Sequence, residues 1–241
     1  MKVIITKDYK ELSERSANLI ILGILKKPDL ILGLPSGETP IGMYRQLVKA
    51  YKNKKVDFSN VRYFNIDEYY PIKKISKNSS YYYMNSNLLN HVNIKKSNIN
   101  ILDSESKNPE KYCIEYELKI KKTPMDILVL GVGINGHIGF NEPGSKLNSK
   151  IRVVNLSNKT IKRNSRFFKK ISDVPKSAMT IGISTIMSSK MIILIASGKD
   201  KAEAIKHLVK GKVNSDYPVS FLRNHKNLIV ILDKQAAKFV K

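Results

Sequence analysis

The chain has 241 residues, a length that one α/β domain can reach, and its apolar fraction of 42% supports a sizeable buried core. It contains no apolar run of about 18 residues or more and its N-terminus lacks a signal-peptide pattern, so we expect neither a membrane span nor secretion. The single cysteine, Cys113, excludes intramolecular disulfides and cysteine-rich zinc sites, and it favours a reducing, cytoplasmic location.

The formal net charge of +23 at pH 7 is a property that the chain shares with nucleic-acid-binding proteins. Only 7 of the 43 basic residues are arginine, however, and the 36 lysines are spread along the whole chain. Recognition of bases and phosphates usually favours the planar fork of arginine. We therefore expect a solvated lysine-rich surface without nucleic-acid binding, whose field attracts anionic small molecules.

Short, β-branched apolar runs recur along the chain and predict strands. In chain order they are KVIIT from Lys2, DLILGLP from Asp29, VRYFNID from Val61, DILVLGVG from Asp126, AMTIGIS from Ala178, KMIILIAS from Lys190 and LIVILD from Leu228. Segments of helical period lie between most of them, such as YKELSERSANLIILGIL and TPIGMYRQLVKAYK. This alternation predicts a single doubly wound, Rossmann-like α/β domain over residues 1–241. In it a mostly parallel sheet has helices on both faces, and the ligand lies beyond the carboxyl ends of the strands.

The segment LGLPSGETP, residues 32–40, predicts a buried strand, a small polar loop and the start of a helix. Thr39 as N-cap and Pro40 at the first helical position are typical of a helix N-terminus. Free backbone N–H groups at such a terminus suit a phosphate, although an ordinary strand-to-helix turn has the same pattern. No Gly-Lys-Ser/Thr follows, so the segment is not a P-loop.

The segment FNIDEYY, residues 64–70, places Asp67 and Glu68 at the end of an apolar strand. Partial burial there can tune a carboxylate as a base. Adjacent residues on an extended backbone point in opposite directions, so only one of the two can face a cleft. These residues alone do not decide between catalysis and helix capping.

The segment GVGINGHIGFNEPG, residues 131–144, begins with a G-x-G-x-x-G pattern. A dinucleotide-binding turn needs a helix directly after these glycines and an acidic residue about twenty positions further on. Further glycines and a proline oppose such a helix, and the later stretch IRVVNLS has no acidic residue. We therefore reject a dinucleotide site and interpret the segment as a loop that displays Asn135, His137 and Glu142, with the histidine as a proton carrier.

Two cations lie in predicted helical contexts, Arg166 in NSRFF and Lys201 in SGKDKAEAI. Lys201 follows a predicted strand, so it should lie at the carboxyl edge of the sheet. Each residue alone is typical of surface charge. Together with the loop of residues 36–39, the two could clamp a phosphate.

Taken together, LGLPSGETP, FNIDEYY, GINGHIGFNEPGS and NSRFF with VPKSAMTIGI resemble the motifs of the glucosamine-6-phosphate deaminase family. Their order and spacing match along nearly the whole chain, and GHIGFNEPG is highly specific. The resemblance implies conversion of glucosamine 6-phosphate to fructose 6-phosphate and ammonia in amino-sugar catabolism, with no metal and no cofactor. The nearest alternative is a 6-phosphogluconolactonase-like hydrolase, which needs no base at C2 and whose histidine loop lacks the FNEPG continuation.

The resemblance also implies roles for individual residues. Asp67 would remove the C2 proton and reprotonate C1, while His137 would open the sugar ring. Glu142 and Asn135 would orient and polarise His137. The residues that would hold the phosphate are Ser36, Gly37, Glu38, Thr39, Arg166 and Lys201.

Three features depart from the family's pattern. Asn135 stands where many members have aspartate, so negative charge near the histidine has to come from Glu142. Glu38 replaces a small residue, and its side chain has to point away from a bound phosphate. The chain ends at Lys241, before the longer tail of allosterically regulated members, so we expect no activation by N-acetylglucosamine 6-phosphate. A homo-oligomer is compatible with the sequence.

Overall fold

The structure is a computed structural model that describes residues 1–240, so the last residue of the predicted domain, Lys241, lies outside the described residues. Its helices are α1 (Tyr9–Lys26), α2 (Ile41–Lys52), α3 (Ser80–Asn87), α4 (Pro109–Lys122), α5 (Asn158–Asn164), α6 (Ile183–Met187) and α7 (Ala202–Val209). Its strands are β1 (Lys2–Thr6), β2 (Ile31–Leu34), β3 (Arg62–Asn65), β4 (Asp67–Tyr70), β5 (Ile99–Asn100), β6 (Ile127–Leu130), β7 (Arg152–Asn155), β8 (Ser177–Thr180), β9 (Ile192–Ala196) and β10 (Leu228–Asp233). Within residues 1–240, no helix is both long and apolar enough to cross a membrane.

The central sheet of the described chain has seven strands in the order β1-β10-β9-β6-β2-β3-β5, and every neighbouring pair is parallel. From β2 the chain moves outward through β3 and β5, and then returns to the other side of β2 with β6. The strand order therefore reverses between β2 and β6. A crevice is expected beyond the carboxyl ends of these two strands.

The two faces of the sheet carry separate hydrophobic cores. On β9, Ile192 and Leu194 belong to the core shared with α4, α6 and α7, whereas Ile193 and Ile195 belong to the core shared with α1 and α2. Successive strand residues point to opposite faces, so a strand that is covered on both sides is a continuous apolar run. The predicted three-layer, mostly parallel α/β fold is confirmed.

A second, three-stranded antiparallel sheet, β4-β8-β7, was not predicted. The AMTIGIS segment contributes β8 to this sheet, and Asp67 begins β4 opposite Thr180. The predictions that AMTIGIS joins the main sheet and that Asp67 ends an apolar strand were therefore wrong. The chain leaves the main sheet at Asn65, whose side-chain amide donates to the Asp67 carbonyl (2.9 Å) and accepts from the Leu102 N–H (2.8 Å). Those side-chain bonds replace the ladder bonds that end there.

The start of α2 also differs from the prediction. The helix begins at Ile41, and the residue before it, Pro40, gives no side-chain capping bond. The prediction that Thr39 is the N-cap was wrong. Instead, the Tyr9 hydroxyl from α1 accepts from the Gly42 N–H (2.8 Å) and donates to the Thr39 carbonyl (3.0 Å). A residue distant in sequence thus satisfies an N–H group that the helix leaves free.

Candidate active site

A cleft of about 770 Å³ opens at the carboxyl ends of β2, β6 and β9, where the strand order reverses. Eight of the predicted site residues line it: Ser36, Gly37, Glu38, Thr39, Asp67, His137, Arg166 and Lys201. The remaining two, Asn135 and Glu142, contact or approach His137 from outside the lining. The fold therefore brings all the predicted positions into one region.

Asp67 is a buried carboxylate on the cleft wall, with 9% of its surface exposed. Its Oδ1 atom lies 3.5 Å from the Ser36 hydroxyl, which belongs to the predicted phosphate loop. Burial, together with the charge of Glu68, raises the pKa of Asp67 to about 7, and the Ser36 contact opposes this increase. A carboxylate with this pKa can both accept and return a proton near neutral pH.

Glu68 points away from the cleft and contacts the N-terminus of α3. Its carboxylate accepts from the Ser80 N–H (2.8 Å) and the Tyr81 N–H (2.9 Å). Burial raises the pKa of Glu68 to about 7, against the effect of these donors. The two alternatives that the sequence left open thus apply to one residue each: Glu68 caps a helix, and Asp67 faces the cleft.

The His137 ring is held by a short chain of side-chain contacts. The side-chain N–H of Asn135 donates to Glu142 Oε2 (2.7 Å). The Oδ1 atom of Asn135 therefore faces His137 Nδ1, at 2.7 Å. Since a carbonyl oxygen only accepts, Nδ1 carries the proton and Nε2 keeps a lone pair. Burial lowers the pKa of His137 while Glu142, 4.0 Å from Nδ1, opposes that change. A neutral ring with a basic Nε2 follows.

The glycines of residues 131–144 allow close approach of side chains to the backbone. A Cβ on Gly133 would lie 2.1 Å from the His137 ring, so only glycine fits beneath it. Gly139 has φ +57°, and a Cβ there would lie 2.8 Å from the Thr180 hydroxyl. The structure places no helix between the end of β6 and the start of β7. The prediction that no helix follows these glycines is therefore confirmed.

Thr160 of α5 is a site contact that the sequence reasoning missed. Its hydroxyl donates to Glu142 Oε1, while Glu142 Oε2 accepts from Asn135. Both oxygens of this carboxylate are therefore oriented. A threonine in a polar helix has no distinguishing pattern, and the contact depends on where α5 packs.

The loop of residues 36–39 presents unused donors to the cleft. Within the described chain, its four backbone N–H groups donate no hydrogen bond. Its carbonyls are directed elsewhere: Gly37 accepts from the Tyr83 hydroxyl and Thr39 from the Tyr9 hydroxyl. A loop with fixed carbonyls and free N–H groups at the start of a helix can bind an anion.

Three cations lie opposite this loop, in short 3-10 turns or beside them. Arg166 pairs with Glu38 (2.8 Å), and Lys201 lies 3.5 Å from Asp200. Arg163, which was not predicted, binds the same Asp200 oxygen at 3.0 Å and also lines the cleft. Burial lowers the pKa of Lys201, and Asp200 opposes that shift. The i, i+3 spacing of the two arginines in RNSR is the pattern that could have indicated Arg163.

An aromatic wall completes the cleft beside Asp67. The Tyr69 ring lies 5.4 Å from Phe140 and 5.8 Å from Phe168, and its hydroxyl accepts from Asn164 (2.7 Å). Among residues 1–240, no group of three or more His, Cys, Asp or Glu side chains is placed to hold a metal ion. Asp67 and His137, which also line the cleft, suit acid–base chemistry on an anionic ligand.

Known proteins resemble this chain in sequence and in fold. The family model described as glucosamine-6-phosphate isomerases/6-phosphogluconolactonase matches residues 8–231. The curated glucosamine-6-phosphate deaminases of Clostridium botulinum (strain Hall) and Clostridium novyi (strain NT) are each 47% identical over 238 residues, 98% of this chain and 98% and 99% of theirs. A solved structure of a monomeric glucosamine-6-phosphate deaminase matches with TM-score 0.97 and 41% identity over 99% of this chain and 100% of that one. The 6-phosphogluconolactonase of Trypanosoma brucei matches with TM-score 0.81 and 19% identity over 100% and 98%, a likeness in fold.

Proposed function

The chain belongs to the glucosamine-6-phosphate deaminase family, and we propose that it converts glucosamine 6-phosphate and water into fructose 6-phosphate and ammonia. The observation that carries this proposal is Asp67, a buried carboxylate on the same cleft wall as the phosphate loop and 3.5 Å from its Ser36. A phosphate bound at residues 36–39 fixes one end of the sugar. The reacting carbons then remain near the carboxylate.

In the first step, the ring of the sugar opens. His137 Nε2 accepts the proton of the C1 hydroxyl and returns it to the ring oxygen as the bond between C1 and that oxygen breaks. The Nδ1–H group stays bound to Asn135, which keeps the ring oriented. Glu142 supports the transient imidazolium, because it is the carboxylate behind Asn135.

In the second step, Asp67 removes the proton from C2 of the open aldehyde and returns it to C1. A second proton passes from the substrate ammonium to the C1 oxygen, so the C1 carbonyl becomes an alcohol and the C2 amine becomes an iminium. Water then adds to C2, and ammonia leaves in its protonated form to give the C2 ketone. The protons balance, because C1 gains the one that C2 loses and the C1 oxygen gains the one that the nitrogen loses. A carboxylate with a pKa of about 7 can perform both transfers.

The phosphate end would hold the substrate through three kinds of donor. The free N–H groups of residues 36–39 and the Thr39 hydroxyl lie at the N-terminal end of α2, and the charges of Arg166 and Lys201 lie across the cleft. Arg163 is a further cation within the same wall. These charges would give affinity and orientation, since none of them needs to exchange a proton.

The proposal extends to the type of reaction, the compartment and the oligomeric state. The reaction is a hydrolytic loss of an amine and fits the degradation of N-acetylglucosamine in a cytoplasmic compartment, which the lone Cys113 favours. A homo-oligomer stays a prediction, and sedimentation analysis would decide it.

The basic surface is proposed to be solvated and not to bind nucleic acid. Two of the arginines that line the cleft, Arg163 and Arg166, are paired with carboxylates, and most of the charge is lysine distributed along the chain. A mobility shift with duplex DNA or RNA should be lost at physiological salt, because exposed lysines alone give salt-sensitive, non-specific binding. Nucleic-acid binding that persists at physiological salt through a cluster of lysines would contradict the proposal that this surface does not bind nucleic acid.

The proposed reaction is tested directly with glucosamine 6-phosphate. Ammonia and fructose 6-phosphate should appear in equal amounts, without an added metal or cofactor. 6-Phosphogluconolactone is the comparison substrate, and it should not be hydrolysed above the spontaneous rate. Lactone hydrolysis without ammonia release would contradict the proposal and favour the lactonase alternative.

A further inference from the structure

Glu38 is an acidic residue in the loop that is proposed to bind a phosphate. Its side chain is 64% exposed, and its Oε2 accepts a hydrogen bond from an Nη atom of Arg166 at 2.8 Å. Arg166 is 50% exposed and faces the same cleft. The two residues are 128 positions apart in the chain, so the fold brings them together.

We propose that Glu38 competes with the substrate phosphate for Arg166. Without ligand its carboxylate binds the guanidinium; a bound phosphate takes that place, and Glu38 takes it back as the product leaves. Glu38 therefore lowers the affinity of the site for phosphate and favours product release. The inference rests on the proposed function only in assigning this end of the cleft to the phosphate.

Carboxylate and phosphate oxygens accept hydrogen bonds from the same N–H groups of arginine, so one can replace the other. The phosphate dianion carries more charge, and it also reaches the free N–H groups of residues 36–39 and the ammonium of Lys201. An ion pair as exposed as Glu38–Arg166 is weak, and the dianion displaces it readily. The competition should weaken phosphate binding by about two- to five-fold.

Simple repulsion between Glu38 and the phosphate would also weaken binding, and the two explanations differ in their dependence on Arg166. If Glu38 competes for the guanidinium, part of its effect disappears when Arg166 is absent. If Glu38 only repels the ligand, its effect persists or grows without the neutralising arginine. A double-mutant cycle separates the two.

The experiment measures binding of inorganic phosphate by calorimetry to the full chain and to Glu38→Gln, Arg166→Ala and the double variant. Glu11→Gln is the matched control, because Glu11 forms an equally short pair with Arg15 (2.8 Å) on α1 and does not line the cleft. We expect Glu38→Gln to lower the Kd for phosphate about two- to five-fold and Glu11→Gln to leave it unchanged. The gain from Glu38→Gln should be clearly smaller in the Arg166→Ala background.

An equal or larger gain in that background would overturn the inference in favour of repulsion. Weaker phosphate binding by Glu38→Gln would overturn it as well, because Glu38 would then support the ligand. Binding of inorganic phosphate does not require turnover. If the chain released no ammonia but Glu38→Gln still tightened phosphate in an Arg166-dependent way, the proposed reaction would fail and this inference would stand.

Discussion

The two ends of the cleft are built from different kinds of contact. At the proton-transfer end, Asp67 is buried, and the His137 ring is oriented by Asn135, two residues away in the chain. At the phosphate end, Glu38 and Arg166 are half exposed or more and pair across 128 residues. The proton-transfer end is largely buried and locally organised. The phosphate end is assembled from distant segments, and its Glu38–Arg166 pair is solvated although Lys201 beside it is mostly buried.

This difference determines what each end can contribute. Burial strengthens electrostatic interactions and shifts pKa values, as for Asp67, so changes there should reduce the rate of the chemical step. Solvated ion pairs are weak and adjustable, so changes at Arg166 or Glu38 should alter affinity by smaller factors. Substitutions at the two ends test this division, beginning with those that should reduce turnover most.

Asp67→Asn should have the largest effect. Asparagine has nearly the same shape but cannot accept the C2 proton, so kcat should fall by about 10⁴-fold, the upper range for a general base. Exchange of the C2 hydrogen with solvent should disappear as well. Ammonia release and deuterium incorporation measure the two losses separately.

Glu68→Gln is the matched control, because it removes the same charge from the opposite side of β4. It should retain most of the turnover. Because the charge of Glu68 raises the pKa of Asp67, the acid limb of its pH profile should lie at lower pH. An Asp67→Asn variant that still exchanges the C2 hydrogen would break the assignment of the base.

His137→Gln should have the next largest effect, a loss of about 10²-fold on the cyclic sugar. The fraction of substrate that opens spontaneously would still reach Asp67, so turnover should become limited by supply of the open form. Rates measured with the anomeric mixture at rising enzyme concentration reveal that limit. His91→Gln is the control and should leave turnover unchanged. His91 is exposed, and its Nε2 lies 2.9 Å from the Ser86 carbonyl. Loss of C2 exchange on pre-opened substrate would contradict a role confined to ring opening.

The same contrast explains which parts of the site the sequence could predict. Asn135, His137 and Glu142 lie in one glycine-rich segment, so residue types and short spacing were enough to group them. Thr160 reaches the site because α5 packs over it, and no local pattern encodes that packing. For Arg163 on the same helix, the only local signal is its i, i+3 spacing from Arg166. Predictable contacts are those whose partners are near in sequence.

The fold shows the same limit. The long apolar strands of the central sheet were predicted because strands that are buried on both faces are continuous hydrophobic runs. The four-residue strands β4 and β7 contain polar residues and pair antiparallel with β8, so their pairing was not predictable. Which of Asp67 and Glu68 faces the cleft depends on this second sheet. Strand periodicity predicted that one would, without deciding which.

Lys201→Ala should have a smaller effect than either proton-transfer variant. Loss of one charge-assisted hydrogen bond should raise KM about tenfold, with a lesser fall in kcat from poorer positioning. Arg163→Ala should raise KM less, because its guanidinium is held by Asp200 (3.0 Å) and contributes mainly through its charge. Arg15→Ala, outside the cleft lining, is the control for removal of one positive charge. If Lys201→Ala and Arg163→Ala had the same KM as Arg15→Ala, neither Lys201 nor Arg163 would bind the substrate phosphate.

The last expected effect is on stability and not on turnover: Asp67→Asn should gain stability in a pH-dependent way. The folded-state pKa of Asp67 is about 7, above its ordinary value of 3.8. Between these two pH values the folded protein holds a proton that the unfolded chain releases, so its stability falls as pH rises through this window. Above pH 7 both states are ionised, and the loss has its full, constant size of about 2–4 kcal/mol.

Asparagine stays neutral at every pH, so Asp67→Asn should remove this loss. Its Tm should exceed that of the unsubstituted protein by several degrees at pH 8.5, since about 1 kcal/mol shifts Tm by 2–4 °C in a chain of this size. At pH 5 the difference should be much smaller, because Asp67 is then protonated in the fold and close to asparagine in charge. Thermal unfolding at the two pH values measures this. A Tm difference independent of pH would show that burial does not raise the pKa of Asp67, and the contrast between a dry and a solvated end of the cleft would then lose its electrostatic basis.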